Sequence, residues 1–507
     1  MSAISGRRTR SARSPRPARR SSCCPRARAG CRSCRQAASR RTRRGVRRRC
    51  SSRSACHPSS RVRRRTTTST SASRTSNRRQ PVTEAHAALQ PTVAGPLSHL
   101  RILEIAEDVP GPFAGRLLHD LGAAVTKVER PGSGDSSRHT GPFRDDEPDP
   151  EASGLFSYFN RGKRSVTLDW TQPRGRDLLG QLLDESDVLI VDERFGASHD
   201  ELLALCEEHG GGERALSVVS ITPFGLTGPR AHWRGSPATI SAYGGLTLYF
   251  GEADRAPIPP PQDLALTQGG LAVAIATLYT VLGRGGQPGR GQVADISIVD
   301  VLSSVHTGLA ATHWVFDSRQ FQRHGRRSQG GLYPNAMLRC KDGFFRVHAM
   351  SQKEWRGLLE MMGSPAWGDD PEYQDRIVNG DRYADLLDTY IESYLMQHTK
   401  NELFEQTRER QLPFSPVRQM HEVLEEEQLL HLGLFRELAH PNGEQFTAAG
   451  SPFRWRNAED DAPPETDPTG AALLRAPRLG EHNDEVYGDL LGLDAAEIER
   501  LRGDDVI

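Results

Sequence analysis

The chain has 507 residues, enough for two or three domains, with 36% hydrophobic side chains and a formal charge of only +2. That near-neutral total hides a sharp division. Residues 1–80 carry 26 of the 66 Lys and Arg, all of them Arg, and no acidic residue, which leaves 40 basic against 64 acidic side chains in the remainder. No apolar run reaches the ~20 residues of a bilayer span, the best being Leu271 to Leu282, so the composition reads as a soluble protein.

The basic head also holds six of the eight cysteines, and the body keeps only Cys206 and Cys340, which fits a reducing, cytoplasmic setting. Cys31 and Cys34 have zinc-ligand spacing, but no regular second Cys/His pair follows, so no metal is expected. The arginines could neutralise phosphates, yet no aromatic residue interleaves them, which disfavours nucleic acid. Their Ser-rich, acid-poor setting also suits a transit peptide, but prolines interrupt any amphipathic face. Residues 1–81 therefore read as a disordered head or a mis-assigned start, with the composition changing near Val82.

Strand and helix signals then alternate. LRILEIA reads as a buried strand, Pro110 to Leu121 as a helix entered through Pro110-Gly111-Pro112, AAVTKVER and SVTLDW as strands, and Arg174 to Asp184 as a helix. DVLIV and SVVSITPFG are further strands. This order predicts an α/β fold with an open, mostly parallel sheet, which binds ligands beyond the carboxyl ends of its strands. No GxGxxG follows the first strand, so a dinucleotide is not expected.

Three prolines, Pro259 to Pro261, precede Asp263, which opens the apolar helical run LALTQGGLAVAIATLYTVLG. A carboxylate there is either an N-cap or a nucleophile kept ionised in a cleft. From about residue 335 the pattern changes: MLRCKDGFFRVHAM reads as a hairpin turning at Asp342-Gly343, and 353–432 as mostly helical, together a smaller α+β domain. Pro- and Asp-rich residues 457–470 read as a loop, and LGEHNDEVYGDLLGLDAAEIERLR as a closing helical segment.

Six segments in order resemble the family III CoA-transferases (CaiB/BaiF): LRILEIAEDVPGPFAGRLLHDLGAAVTKVERPGSGDSSR, NRGKRSVTLDW, SITPFGLTGP, GRGQVADISIVDVL, CKDGFFRVHA and LGEHNDEV, with Asp263 placed ahead of the Gly289-Arg290-Gly291-Gln292 turn. The resemblance spans about Leu97 to Ile507. It implies a Rossmann-like large domain (97–334), a small domain (335–432), a segment returning to the large domain (433–507), and an interlocked homodimer or a heteromer with a paralogue. It implies transfer of CoA from an acyl-CoA to a carboxylic acid, with CoA as substrate rather than prosthetic group and Asp263 as nucleophile forming an aspartyl-CoA thioester. Val109, Pro110, Arg130, Leu168 and Arg234 match CoA contacts, and Gly330-Gly331, after Gln329, matches a mobile glycine loop or is an ordinary turn.

Two departures stand out. Where the family reads V-E-N-F, this chain has Val191-Asp192-Glu193-Arg194, putting two acids near a polyanionic substrate unless Arg194 turns inward; a family arginine further on is replaced by Asp200. Gly235-Ser236-Pro237 replaces the Gly-His-Asp of the racemases, which removes a proton carrier and ranks racemase or isomerase below transferase. A non-catalytic or specialised CoA-binding subunit is the alternative.

Overall fold

The computed structural model describes residues 95–209, 215–261, 263–283, 290–305, 307–318, 323, 325–327, 332–454 and 475–507, all within a compact unit spanning 79–507. The expectations for the head, for Cys31 and Cys34, and for Gln329, Gly330 and Gly331 lie outside the described residues.

Six strands form one parallel sheet: β1 (Arg101–Ile105), β2 (Ala124–Glu129), β3 (Arg164–Thr167), β4 (Val188–Asp192), β5 (Ser217–Thr222) and β6 (Val293–Ser297). Their spatial order is 3-2-1-4-5-6. The chain builds outward from β1 through β2 to β3, then returns to pair β4 with the other side of β1, so the strand order reverses between β1 and β4. Ile102, Val188, Ile190 and Val219 point to one face of the sheet, and Leu103, Leu189, Val191 and Val218 to the other, as the two-residue period of a strand requires. Both faces are covered, which is why these strands read as nearly continuous apolar runs.

Helices α1 (Pro110–His119), α2 (Gly154–Asn160), α5 (Pro237–Tyr243), α6 (Leu264–Gly283) and α7 (Ile298–Val305) serve the first face. Helices α3 (Pro173–Asp184) and α4 (His199–Glu208) serve the second. Pro110 and Pro173 occupy first-turn positions, where their missing N–H costs nothing and their fixed φ suits the helix. Ser198 starts α4 with a reciprocal cap to Glu201.

Helix α6 corrects the expectation that no apolar run is long enough to span a bilayer: its twenty residues are long and apolar enough by length and composition. The helix is half buried and packs on α1, β5, β6 and α7. Gly269-Gly270, which breaks the apolar run in the sequence, is where it meets its neighbours. A Cβ at Gly270 would sit 2.6 Å from the Pro110 carbonyl oxygen.

After α8 (Gly308–Asp317), a separate antiparallel sheet of β7 (Asn335–Cys340), β8 (Gly343–His348) and β9 (Ser415–Val417) packs around Trp355 with α9 (Gln352–Met361), α10 (Ala384–Leu395) and α11 (Lys400–Glu409). Cys340 pairs with Gly343, so the turn residues are Lys341-Asp342, one residue earlier than the sequence suggested. Gly343 opens β8 at φ 153, which explains why a glycine follows the turn.

The hairpin β10 (Phe435–Ala439) and β11 (Gln445–Ala449) follows, and the chain closes with α12 (Ala495–Gly503). Val486, Tyr487, Ile498, Leu501, Val506 and Ile507 enter the same core as α3 and β3. They bring LGEHNDEV to the open edge of β3. Asn483 Oδ1 accepts the Thr167 N–H at 2.9 Å, its Nδ2 donates to Thr167 Oγ1 at 2.8 Å, and the His482 N–H donates to the Ser165 carbonyl at 2.9 Å. That signature therefore caps an exposed strand edge.

Candidate active site

The connection from β1 to α1, Ala106 to Val109, crosses the carboxyl end of the sheet where the strand order reverses, the usual place for a ligand in an open parallel sheet. Each residue of this turn is fixed by a partner from another element. Lys127 Nζ, from β2, donates to the Ala106 carbonyl at 2.7 Å. The Glu107 N–H donates to Asp192 Oδ2 at 2.9 Å, at the end of β4. The Asp108 N–H donates to Asp135 Oδ1 at 3.0 Å, and the Val109 carbonyl accepts the Phe113 N–H at 2.8 Å to begin α1.

Asp108 adopts φ 67, a left-handed conformation that is costly for a residue with a Cβ and persists only where the surroundings impose it. Those surroundings are buried ions. Lys127 Nζ lies 3.1 Å from Glu104 Oε1 and 2.7 Å from Asp135 Oδ2. Lys163 Nζ clasps the other side of Glu104 at 2.8 Å and donates to the Pro112 carbonyl at 2.9 Å. Burial alone would raise the Asp135 carboxyl, but Lys127 and the N–H donors outweigh it and hold the carboxyl below its ordinary range. Burial drives Lys163 down to about 8 despite Glu104.

The cleft at this turn is bounded by Glu107, Asp108 and Pro110 on one side and by Asp192, Glu193 and Arg194 on the other, with Ile221, Pro223, Ile240 and Leu266 forming an apolar floor. Arg194 turns inward: Nη1 lies 2.7 Å from Asp192 Oδ2 and Nε 3.4 Å from Glu107 Oε2. Burial raises the carboxyls of Asp192 and Asp108. For Asp108 the nearby charges of Asp135, Asp263 and Asp192 add to that rise, against Arg194.

Asp263 is exposed at the start of α6, where its carbonyl accepts the Thr267 N–H at 2.8 Å, the first bond of the helix. Among the described residues its carboxylate meets no side-chain cap partner, and its charge is felt by Asp108. Pro110 lines the cleft. Val109 and Leu168 are buried in the two cores, so their side chains do not face the cleft. Arg130, at the end of β2, lies over the Trp170 ring at 4.7 Å, with Phe195 on the neighbouring side of that ring at 6.3 Å. Arg234 is exposed and adjoins Gly235, a wall of the cleft. Ser236-Pro237 proves to be a helix start: Ser236 and Thr239 cap α5 reciprocally and Pro237 takes its first turn. The residues flanking Gly330-Gly331 converge on one buried carboxylate, with Arg326 Nη2 at 2.7 Å and the Tyr333 hydroxyl at 2.8 Å from Asp388.

Sequence reasoning missed Glu107, Asp108, Asp135 and Lys127. The available signal was Glu104 and Lys127 themselves, charges set inside strands that otherwise read as buried.

Comparison with known proteins places this geometry. Residues 97–483 match the family model of CoA-transferase family III. The chain is 27% identical over 422 residues to a mouse (Mus musculus) succinyl-CoA:glutarate CoA-transferase, covering 81% of this chain and 90% of the relative. It is 27% identical over 432 residues to a formyl-CoA:oxalate CoA-transferase of Bradyrhizobium sp. (strain ORS 278), covering 80% and 96%. A crystal structure of a CaiB/BaiF family protein from Brucella suis superposes with a TM-score of 0.65 at 26% identity, covering 78% of this chain and 99% of that one. The protein belongs to CoA-transferase family III.

Proposed function

We propose that the protein moves CoA from an acyl-CoA thioester to a free carboxylic acid, with Asp263 as the nucleophile. The observation that carries this reading is the position of Asp263: an exposed carboxylate at the N-terminal end of α6, electrostatically coupled to Asp108 at the strand-order reversal. In this scheme an Asp263 oxygen attacks the thioester carbonyl, the C–S bond breaks, and CoA leaves as thiolate. The thiolate attacks the aspartyl carbonyl of the mixed anhydride, releasing the donor acid and leaving an aspartyl-CoA thioester. The acceptor carboxylate displaces the thiolate again, which then takes the acceptor acyl group and frees Asp263. Because a carboxylate is a weak nucleophile, the scheme depends on holding the thioester in place and stabilising its oxyanion. The fixed Ala106–Val109 turn suits the first requirement, and the positive end of the α6 dipole favours negative charge at Asp263.

The names of the relatives each pair an acyl-CoA with a carboxylic acid, which supports an acyl-CoA donor and a carboxylate acceptor. An exposed apolar stripe on α6, Leu271, Ile275, Tyr279 and Leu282, together with Trp314, Val315 and Phe316 on α8, supports a homodimer. The sparse cysteines of the body, Cys206 and Cys340, both buried, agree with a cytoplasmic setting. The four carboxylates of the cleft against one guanidinium favour a second reading, a CoA-binding subunit of a heteromer without its own turnover.

Incubating the protein with a panel of acyl-CoAs, adding hydroxylamine and mapping peptides by mass spectrometry decides between them. A hydroxamate on Asp263 supports the transferase. CoA binding with no adduct from any donor overturns it in favour of the subunit.

A further inference from the structure

Arg194 is the only cation among the described residues that line the cleft, and it faces Glu107, Asp108, Asp192 and Glu193. Asp263 adds a fifth negative charge close enough to act on Asp108. Such a lining should repel a substrate that carries several phosphates. At separations of a few ångströms, like charges at a protein surface cost on the order of kilocalories per mole, even with solvent screening.

The guanidinium is also placed to hold the turn. It follows β4 directly, and its own N–H donates to Asp192 Oδ1 at 2.8 Å, which folds the side chain back over the strand end. From there Nη1 reaches Asp192 Oδ2 and Nε reaches Glu107 Oε2. The same Asp192 Oδ2 accepts the Glu107 N–H, and Glu107 Oε2 accepts the Ser136 N–H at 3.2 Å. Arg194 thus closes a short circuit across the gap between β1 and β4, joining the end of one strand to the turn that leaves the other. Its side chain remains 38% exposed, so part of the guanidinium still faces the cleft. The counter-charges on it, Asp192 first and Glu107 next, keep it firmly protonated.

We propose that Arg194 is a positioning and specificity residue for the CoA substrate: it pairs with Asp192 and Glu107, offsetting one of their two charges, holds the Ala106–Val109 turn, and turns its exposed face to the anionic end of CoA. This inference rests on the CoA-transferase reading given above, but it concerns binding and can be tested without turnover. It also accounts for the acidic departure at Asp192-Glu193. Glu193, the one carboxylate added relative to the family's Val-Glu-Asn-Phe, is tolerated because the residue that follows it supplies one compensating positive charge.

The test uses the full chain with Arg194→Gln, Arg194→Lys and the double variant Arg194→Gln/Glu107→Gln, checked for retained fold by circular dichroism. CoA and pantetheine, the uncharged thiol-bearing part of CoA, are titrated by calorimetry at low and high salt. In the Gln variant CoA binding should weaken roughly tenfold or more, while pantetheine binding changes less than about twofold. Salt should strengthen CoA binding to this variant more than to the wild type, because removing the one cation leaves more repulsion for screening to relieve. Arg194→Lys should recover part of the affinity, and so should the Glu107→Gln change in the double variant.

Equal loss of CoA and pantetheine would mean that Arg194 only supports the fold of the turn, and unchanged CoA binding would mean that it has no part in recognition. Either result overturns the proposal. A wild type that binds CoA as described but gives no Asp263 adduct would overturn the transferase reading alone.

Discussion

Asp135 Oδ1 accepts the backbone N–H of Asp108 at 3.0 Å, and Asp108 is the residue held at φ 67 beside the cleft. A carboxylate 27 residues away in sequence thereby fixes the backbone of the turn on which the site is built. The cost of a left-handed non-glycine residue is met by burying Asp135 against Lys127. Asp135 is fully buried, so its replacement acts on both the ion pair and the turn.

Asp135→Asn keeps an oxygen for the Asp108 and Ser137 N–H groups but removes the charge facing Lys127. Leaving a buried ammonium with Glu104 as its main counter-charge should cost about 3–5 kcal/mol of stability. Urea denaturation at pH 7 measures this. A loss below about 1 kcal/mol would show that Glu104 alone suffices for Lys127.

Asp263→Ala separates chemistry from stability. The side chain is exposed and, among the described residues, caps nothing, so unfolding free energy should change by no more than about 0.5 kcal/mol. On the proposed scheme CoA transfer should fall by several orders of magnitude, because the substitution removes the nucleophile itself. Activity within tenfold of wild type would remove Asp263 from the mechanism.

His119, at the end of α1, is 1% exposed, and its Nδ1–H donates to the Ala123 carbonyl at 3.2 Å. Burial lowers it from 6.5 to about 4, outweighing the neighbouring Asp120. The unfolded chain therefore binds a proton between these values while the folded one does not. Its contribution is fully present above pH 6.5 and is lost as the pH falls towards 4, amounting to about 3 kcal/mol. Denaturation curves at pH 7, 5.5 and 4.5 should show this loss, and His119→Gln should flatten it. An identical slope in the variant would assign the acid sensitivity to other groups.

Gly270→Ala tests the crossing of α6 over α1. Alanine favours a helix by up to about 1 kcal/mol, but its Cβ would meet the Pro110 carbonyl oxygen at 2.6 Å and the Phe113 ring at 3.1 Å. Backbone cannot yield as a side-chain tip can, so a net loss of about 1–3 kcal/mol is expected, with reduced turnover because Pro110 borders the cleft. A stabilised variant would show that the two helices separate freely.

The parallel core was legible because β1, β2, β4 and β5 carry apolar runs bounded by turns, and α1 and α3 announce themselves with first-turn prolines. β6 was not separable from its surroundings: VADIS runs into α7 with no turn residue between them. β9, three residues around Pro416, has no sequence signal of its own and exists by pairing with β8. At the site, Asp263 and Pro110 could be picked out from their local setting. The link between Asp108 and Asp135 could not, because it depends on which strands lie side by side. The inward turn of Arg194 was open in the sequence for the same reason: Glu107, one of its two partners, comes from the turn that leaves β1, a strand that becomes the neighbour of β4 only when the sheet order is 2-1-4.

The cap on β3 has a consequence for the order in which the protein can be made. Thr167 and Asn483 are separated by 316 residues, so at ordinary rates of translation the strand leaves the ribosome roughly 15–60 s before the residues that cover it. During that interval the sheet carries a bare row of N–H and C=O groups, able to recruit a strand from a neighbouring nascent chain. Synthesis thus has a vulnerable window that ends only with the last few dozen residues, and a ribosome stalled anywhere in the second half of the message would present an unfinished sheet to its surroundings.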